Sequence, residues 1–426
     1  MSIYKDIQEL LSAELISDNQ AENIREYYRK KESQSGNKLF IVFGILGAIL
    51  IGLGLILIIA HNWDELSRLT KTIFAFIPLL IGQILCGYTL MKKQDNVAWR
   101  EGSTVFLFLT VGASISLVSQ IYNIPGNLSS FLLTWILVCI PLVYIMTSSI
   151  TSLFSIIGIT FYACETGYWN HSSADTYLYW LMLLAILPHY YQLYKKRPES
   201  NSMIFHNWLI PISLVISLGT FSHSHDEFMF IAYFSLFACL YIVGNTSFFS
   251  QQKLRNNAYK ILGSLGTLIL LLVLSFDWFW DDLRNKIFDF NEVVASPEFI
   301  VSTSLTILAG LLLYLQQKNK RLLSIKPISL VFIFFIYAFI SGLSSSIAML
   351  LINFYVFAIG IFTIREGAKK DHLGILNFGL LIITALVTCR FFDENLSFVI
   401  RGILFVSVGL GFFATNYVMF KKRKNG

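Results

Sequence analysis

Apolar runs of about twenty residues, separated by short polar stretches, recur along most of the chain, and this repetition narrows the possible folds to a few. An α-helix rises 1.5 Å per residue, so about 20 apolar residues cross a hydrocarbon core about 30 Å thick. Runs of that kind lie near 39–60, 72–91, 102–122, 128–146, 149–168, 176–194, 207–222, 228–247, 259–278, 298–316, 327–343, 345–364, 372–391 and 396–420. The expected fold is an all-α, polytopic transmembrane helix bundle of about 14 spans. The pairs 128–146/149–168 and 327–343/345–364 have tight junctions, and each reads either as two spans or as one broken or re-entrant segment. Composition agrees with lipid as the solvent. Charged residues make up 14% and hydrophobic residues 55%, against about 25% charged in soluble domains.

The distribution of basic residues gives the orientation. With the N-terminus in the cytoplasm and the spans alternating, 26 of the 32 Lys and Arg residues fall in cytoplasmic segments. Only Arg68, Lys71, Arg284 and Lys286 fall outside, while Arg390 and Arg401 sit within apolar runs. Such a bias over short loops predicts both ends in the cytoplasm. It also removes the nucleic-acid reading that a net charge of +6 invites, because the cations form loop clusters and no basic face. The five cysteines (Cys86, Cys139, Cys164, Cys239 and Cys389) each lie in an apolar run without metal-type spacing, and read as small hydrophobes. The first 36 residues are too polar for a signal-peptide core, so the first span is expected to be its own insertion signal.

Residues 1–35 read as a small cytoplasmic helical hairpin, with residues 36–426 as the transmembrane domain. Ile3, Ile7, Leu10 and Leu11 recur at helical spacing, and Ser17 with Gln20 fits a capping box that starts the second helix. The hairpin is either a solubilising foot or a docking module for a cytoplasmic protein. The external stretch near 279–297 carries Asp281, Asp282, Asp289 and Glu292 among aromatics, as a short surface helix would. Gly44, Gly47, Gly52 and Gly54 give the first span a small-residue face, for packing within the chain or for a dimer.

Polar groups inside lipid are costly, and they usually face the bundle interior or a wet cavity. The candidates are Gln120, Glu165, Asp277, Arg390 and Arg401, joined by Asn62, Trp63 and Asp64 at the outer end of the first span. By the topology above all lie toward the external leaflet, whereas the inner half holds Gln83, His189, Asn245 and Asn377. That asymmetry predicts a polar, outward-facing cavity or seam. Arg390 and Arg401 either pair locally with Asp393, Glu394 or Glu165 while snorkelling to the headgroups, or bind an anionic group such as phosphate or carboxylate bidentately. Glu165 is either a proton-coupling carboxylate or an arginine's fixed counter-ion. His223-Ser-His225-Asp226 reads as a solvated loop more readily than as a metal site, and His189, after Pro188, as a hydrogen-bonded position at a kink. No P-loop, dinucleotide fingerprint, nucleophile elbow or zinc-protease helix is present, so neither an enzyme nor a cofactor is expected.

Several short patterns occur together. Glu14-Leu-Ile-Ser-Asp-Asn-Gln20 precedes Tyr27-Tyr28, and a Gly-rich first span ends in His61-Asn-Trp-Asp64. Arg100-Glu-Gly102 opens a span that closes with Ser119-Gln-Ile-Tyr122. The C-terminus carries Arg390-Phe-Phe-Asp393, Arg401-Gly402 and Gly409. The chain resembles the bacterial predicted membrane proteins of domain of unknown function 2157, best over about the first 145 residues, with the final 50 similar to the end of longer members. The resemblance implies a bacterial inner (cytoplasmic) membrane location and no known activity. Two functions are carried forward. One is a transporter or lipid-linked substrate handler whose polar cavity takes an anionic small molecule or lipid headgroup. The other is a non-transporting scaffold or sensor that docks a cytoplasmic protein through residues 1–35.

Overall fold

The computed structural model describes residues 3–61, 66–169, 174–318 and 326–391, with scattered positions between 397 and 417. The molecule is all-helical at 85% helix, and no strand occurs among the described residues. Among the described residues, the seventeen α-helices given below and a few short 3₁₀ or π turns are distributed over two compact units. Unit 1 comprises residues 1–162 and 178–198, and unit 2 comprises 163–177 and 199–426.

Unit 1 begins with α1 (Ile3–Ser12) and α2 (Asp18–His61). The expected capping box forms. The Gln20 Oε1 accepts from the Ser17 backbone N–H at 2.9 Å, and the Gln20 N–H donates to the Ser17 Oγ at 3.4 Å. These bonds satisfy orphan donors of the helix start. Ile7 and Ala21 close the hairpin, each 2% exposed. Helix α2 then runs 44 residues without a break, so the foot's second helix and the first apolar run are one rod.

Helices α3 (Arg68–Lys92), α4 (Val97–Tyr122), α5 (Leu128–Ile145), α6 (Ser149–Cys164) and α7 (Leu178–Lys196) complete unit 1. Ser67, Asn96 and Asn127 cap α3, α4 and α5 through their side chains, as small polar residues before apolar runs do. Helix α4 is central, packed on α2 and α3. Pro78 loosens the backbone ladder of α3, and nearby the Ser114 hydroxyl of α4 donates to the Ala75 carbonyl at 2.6 Å. At the other end of the pair the Thr89 hydroxyl donates to Ser103 at 3.2 Å. Trp135 fastens α5 to α4. Its indole N–H donates to the Phe108 carbonyl at 2.8 Å, and its ring lies against Gly112, where a Cβ would come within 2.5 Å of it.

Unit 2 holds α8 (Asn201–Leu218), α9 (Glu227–Gly244), α10 (Ser247–Ser250), α11 (Ala258–Val273), α12 (Trp278–Asn285), α13 (Phe290–Ala295), α14 (Pro297–Gln317), α15 (Val331–Gly342), α16 (Ile347–Lys369) and α17 (Leu373–Phe391). Helix α9 is flanked by α11, α14 and α15, and α16 pairs with α17. Helix α11 ends at Val273, and α12 leaves at 72°. Trp280 of α12 is fully buried and donates to the Leu274 carbonyl at 2.8 Å, with Gly342 leaving room for its ring. The expected surface helix near 279–297 is therefore two short helices, and the first is anchored in the core by Phe279, Trp280 and Leu283.

Nine described helices are long and apolar enough to cross a membrane, or ten if the bent α11–α12 pair is one span. The expectation of about 14 is met only as a multispan bundle. Helix α7 is diluted by Trp180, His189, Gln192 and four tyrosines. The 3₁₀–α15 segment (Pro327–Gly342) is short, and the described apolar part of α2 is Val42–Gly54. Most of the last expected run, 396–420, lies outside the described residues.

Candidate functional site

A cleft of about 1140 Å³ opens in unit 1 among α3, α4 and α5. It is larger than most small-molecule sites, which run about 300–1,000 Å³. Helix α4 forms its floor. Phe76, Leu79 and Gln83 of α3 form one wall, and Leu128, Phe131, Thr134 and Val138 of α5 form the other. The turn 123–127 closes one end. Asn123 ends α4 there with φ of 49°, a left-handed conformation that Asn tolerates. Asn127 starts α5 with a reciprocal capping box to Ser130.

Among the described residues of the lining, nine are polar (Gln83, Ser114, Ser116, Ser119, Gln120, Asn123, Asn127, Ser130 and Thr134) and none is charged. Five of the nine have protein partners. Ser114 and Ser119 donate to the Ala75 and Ile124 carbonyls, Asn127 and Ser130 serve the cap, and Thr134 donates to the Ser130 carbonyl. The side chains of Gln83, Ser116, Gln120 and Asn123 are exposed and make no hydrogen bond within the described protein. Ser116, Gln120 and Asn123 follow the i, i+4, i+7 spacing of one helix face. Gln83 lies eight residues past Ala75 on α3, and Asn123 lies nine past Ser114 on α4, in opposite directions from the Ser114–Ala75 bond. At 1.5 Å per residue this separates the two amides by roughly 25 Å along the helices.

Of the residues singled out in the sequence, Gln120 lines this cleft. Asn62, Trp63, Asp64 and Arg401 lie outside the described residues, as do Asp393 and Glu394. Glu165, Asp277 and Arg390 belong to unit 2. Glu165 is half-buried and opens the π-turn Glu165–Trp169. Asp277 and Arg390 meet the break between α11 and α12. Arg390 donates from Nη2 to the Ser275 hydroxyl at 3.1 Å and stacks over the Phe276 ring at 4.6 Å. The Asn353 amide donates to the Ser275 carbonyl at 3.0 Å, satisfying an acceptor that the broken helix frees. Asp277 lies 3.5 Å from Arg284.

Two carboxylates do more structural work than their place in the sequence suggests. Glu101, 5% exposed, accepts from the Ser148 hydroxyl at 2.5 Å and from the backbone N–H groups of Ser149 and Ile150 at 3.0 and 3.1 Å. It thereby caps α6 from α4, where an anion is favoured by the helix dipole. Glu298, fully buried, accepts through one oxygen from the backbone N–H groups of His223, Ser224 and His225 at 2.7, 2.9 and 3.1 Å. The His223–Asp226 loop is thus tied to α14. No group of three or more metal-ligating side chains occurs among the described residues. His189 is buried, with Nε2 3.4 Å from the Ser149 hydroxyl.

Sequence reasoning did not collect Ser116 and Asn123 with Gln120, although their stripe was readable at helical spacing. It placed Gln83 apart, in the inner half, because pairing across α3 and α4 cannot be read from either helix alone. No curated protein and no solved structure matches the chain. Over residues 8–154, which include all of α3, α4, α5 and the cleft, the chain matches the family model described as Predicted membrane protein (DUF2157).

Proposed function

We propose that the protein is a non-enzymatic lipid handler of the bacterial inner membrane, which takes the polar head of a membrane-dissolved amphiphile into the α3–α4–α5 cleft. The observation that carries this reading is the row of unpartnered Gln83, Ser116, Gln120 and Asn123 side chains along a cleft in otherwise apolar helices. Polar groups left exposed in hydrocarbon cost free energy, and a ligand head supplies the missing partners. Ser116, Gln120 and Asn123 offer a head group hydrogen bonds near one end of the cleft, and Gln83 offers a further one roughly 15 Å beyond Ser116, while the chains stay in lipid. The apolar lining, with Phe76, Phe131 and Val138 among it, suits the first methylenes of those chains.

The test is the lipid retained by the purified full chain. Wild type is expected to keep about one tightly held amphiphile per chain through detergent exchange, and the Q83L/Q120L double variant to lose it. Equal retention by the two, or only bulk lipid in both, removes the proposal.

A further inference from the structure

The geometry points to an uncharged, hydroxyl-rich head group, such as a glycosyl or glycerol unit on an apolar anchor, as the cleft's ligand. This rests on the amphiphile reading and narrows its chemistry away from the anionic group that Arg390 and Arg401 suggest in the sequence. The twenty described lining residues include no Lys, Arg, His, Asp or Glu. A phosphate or carboxylate drawn into the cleft would leave water and headgroup counter-ions and meet no cation, and an unpaired charge is the costliest group to desolvate. Lysine or arginine is the usual partner where an anion is held.

The available groups match a polyol instead. Three amides and one hydroxyl are unpartnered, and each amide offers two N–H donors and a carbonyl acceptor. A sugar hydroxyl donates and accepts at once, so it pairs with such a mixed row in several orientations, whereas a phosphate only accepts. The spacing fits a head that moves between sites. Ser116, Gln120 and Asn123 lie about one helical turn apart, so a hexose-sized head can bond two neighbours and exchange one at a time. No fixed cation holds it in place.

The test uses the full chain in vesicles, with p-benzoylphenylalanine replacing Val138, an exposed cleft wall residue, or Leu137 beside it, which is exposed outside the lining. The vesicles contain equal fractions of a monohexosyl diacylglycerol and phosphatidylglycerol with the same acyl chains. Irradiation at position 138 is expected to capture the hexosyl lipid over phosphatidylglycerol by roughly fivefold or more, as for one added hydrogen bond. Position 137 should capture both alike. Adding Gln120→Lys should reverse the ratio at position 138 by supplying the missing cation. Capture of phosphatidylglycerol as well as or better than the hexosyl lipid at 138, above the level at 137, overturns the inference and leaves the lipid-handling proposal standing. A neutral preference that survives Gln120→Lys also overturns it. Indistinguishable capture at 137 and 138 removes the lipid-handling proposal itself.

Discussion

Gln83 and Glu101 show two opposite uses of a polar residue in an apolar helix. Gln83 is exposed with no hydrogen bond within the described protein. Gln83→Leu should raise the thermal midpoint in detergent, by about 1 kcal/mol of relieved polar exposure, while weakening lipid retention. A variant that loses both stability and lipid would show Gln83 to be structural. Glu101 is buried and satisfies a hydroxyl and two backbone donors at the start of α6. Glu101→Ala strands those donors and should cost about 2–4 kcal/mol, read as a lowered midpoint; an unchanged midpoint would refute the capping role. Neither role could be read from its own neighbourhood. Arg100-Glu-Gly102 reads only as the opening of a span, because the partners of its glutamate lie 47 to 49 residues away. The same holds for Glu298, whose partners lie 73 to 75 residues away.

At the scale of elements, local signals performed well. The Ser17–Gln20 box was visible as a four-residue pattern and forms as expected, because both partners sit on one turn. The helices of unit 1 follow the apolar runs and their small polar caps. The bend at Leu274–Asp277 was not legible, since it depends on Trp280 reaching a core built from distant segments. The fit of α5 on α4 depends likewise on Gly112 lying under Trp135. Gly112→Ala would place a methyl 2.5 Å from that ring and should cost about 1–3 kcal/mol by overpacking. Calorimetry in detergent checks this, and a neutral outcome would show that Trp135 swings away freely. The continuous α2 rod gives the scaffold reading its own test. Deleting residues 1–16 leaves the start of α2 and all of the cleft in place. Lipid retention should persist under the handling proposal, whereas its loss with normal accumulation would favour a foot that governs the membrane part.

For the whole molecule, the balance of Lys and Arg and the apolar runs made a multispan membrane protein legible, since each depends on composition along the chain. The site was only partly so. Gln120 was singled out, yet the residues that attracted attention by charge, Asp277 and Arg390, bond around a helix break in unit 2, while the described lining of the unit 1 cleft is uncharged. A charge in lipid stands out in a sequence, whereas a row of neutral amides and hydroxyls emerges only once helices are paired. Whether an amphiphile occupies the cleft is read from a density map of the full chain in a lipid nanodisc. Non-protein density is expected in the α3–α4–α5 cleft, its head within hydrogen-bonding distance of Gln120 and Ser116 and its tail passing between Phe76 and Phe131 into the bilayer. A cleft closed by its own side chains, or filled only by tails with Gln83 and Gln120 turned away, would contradict it.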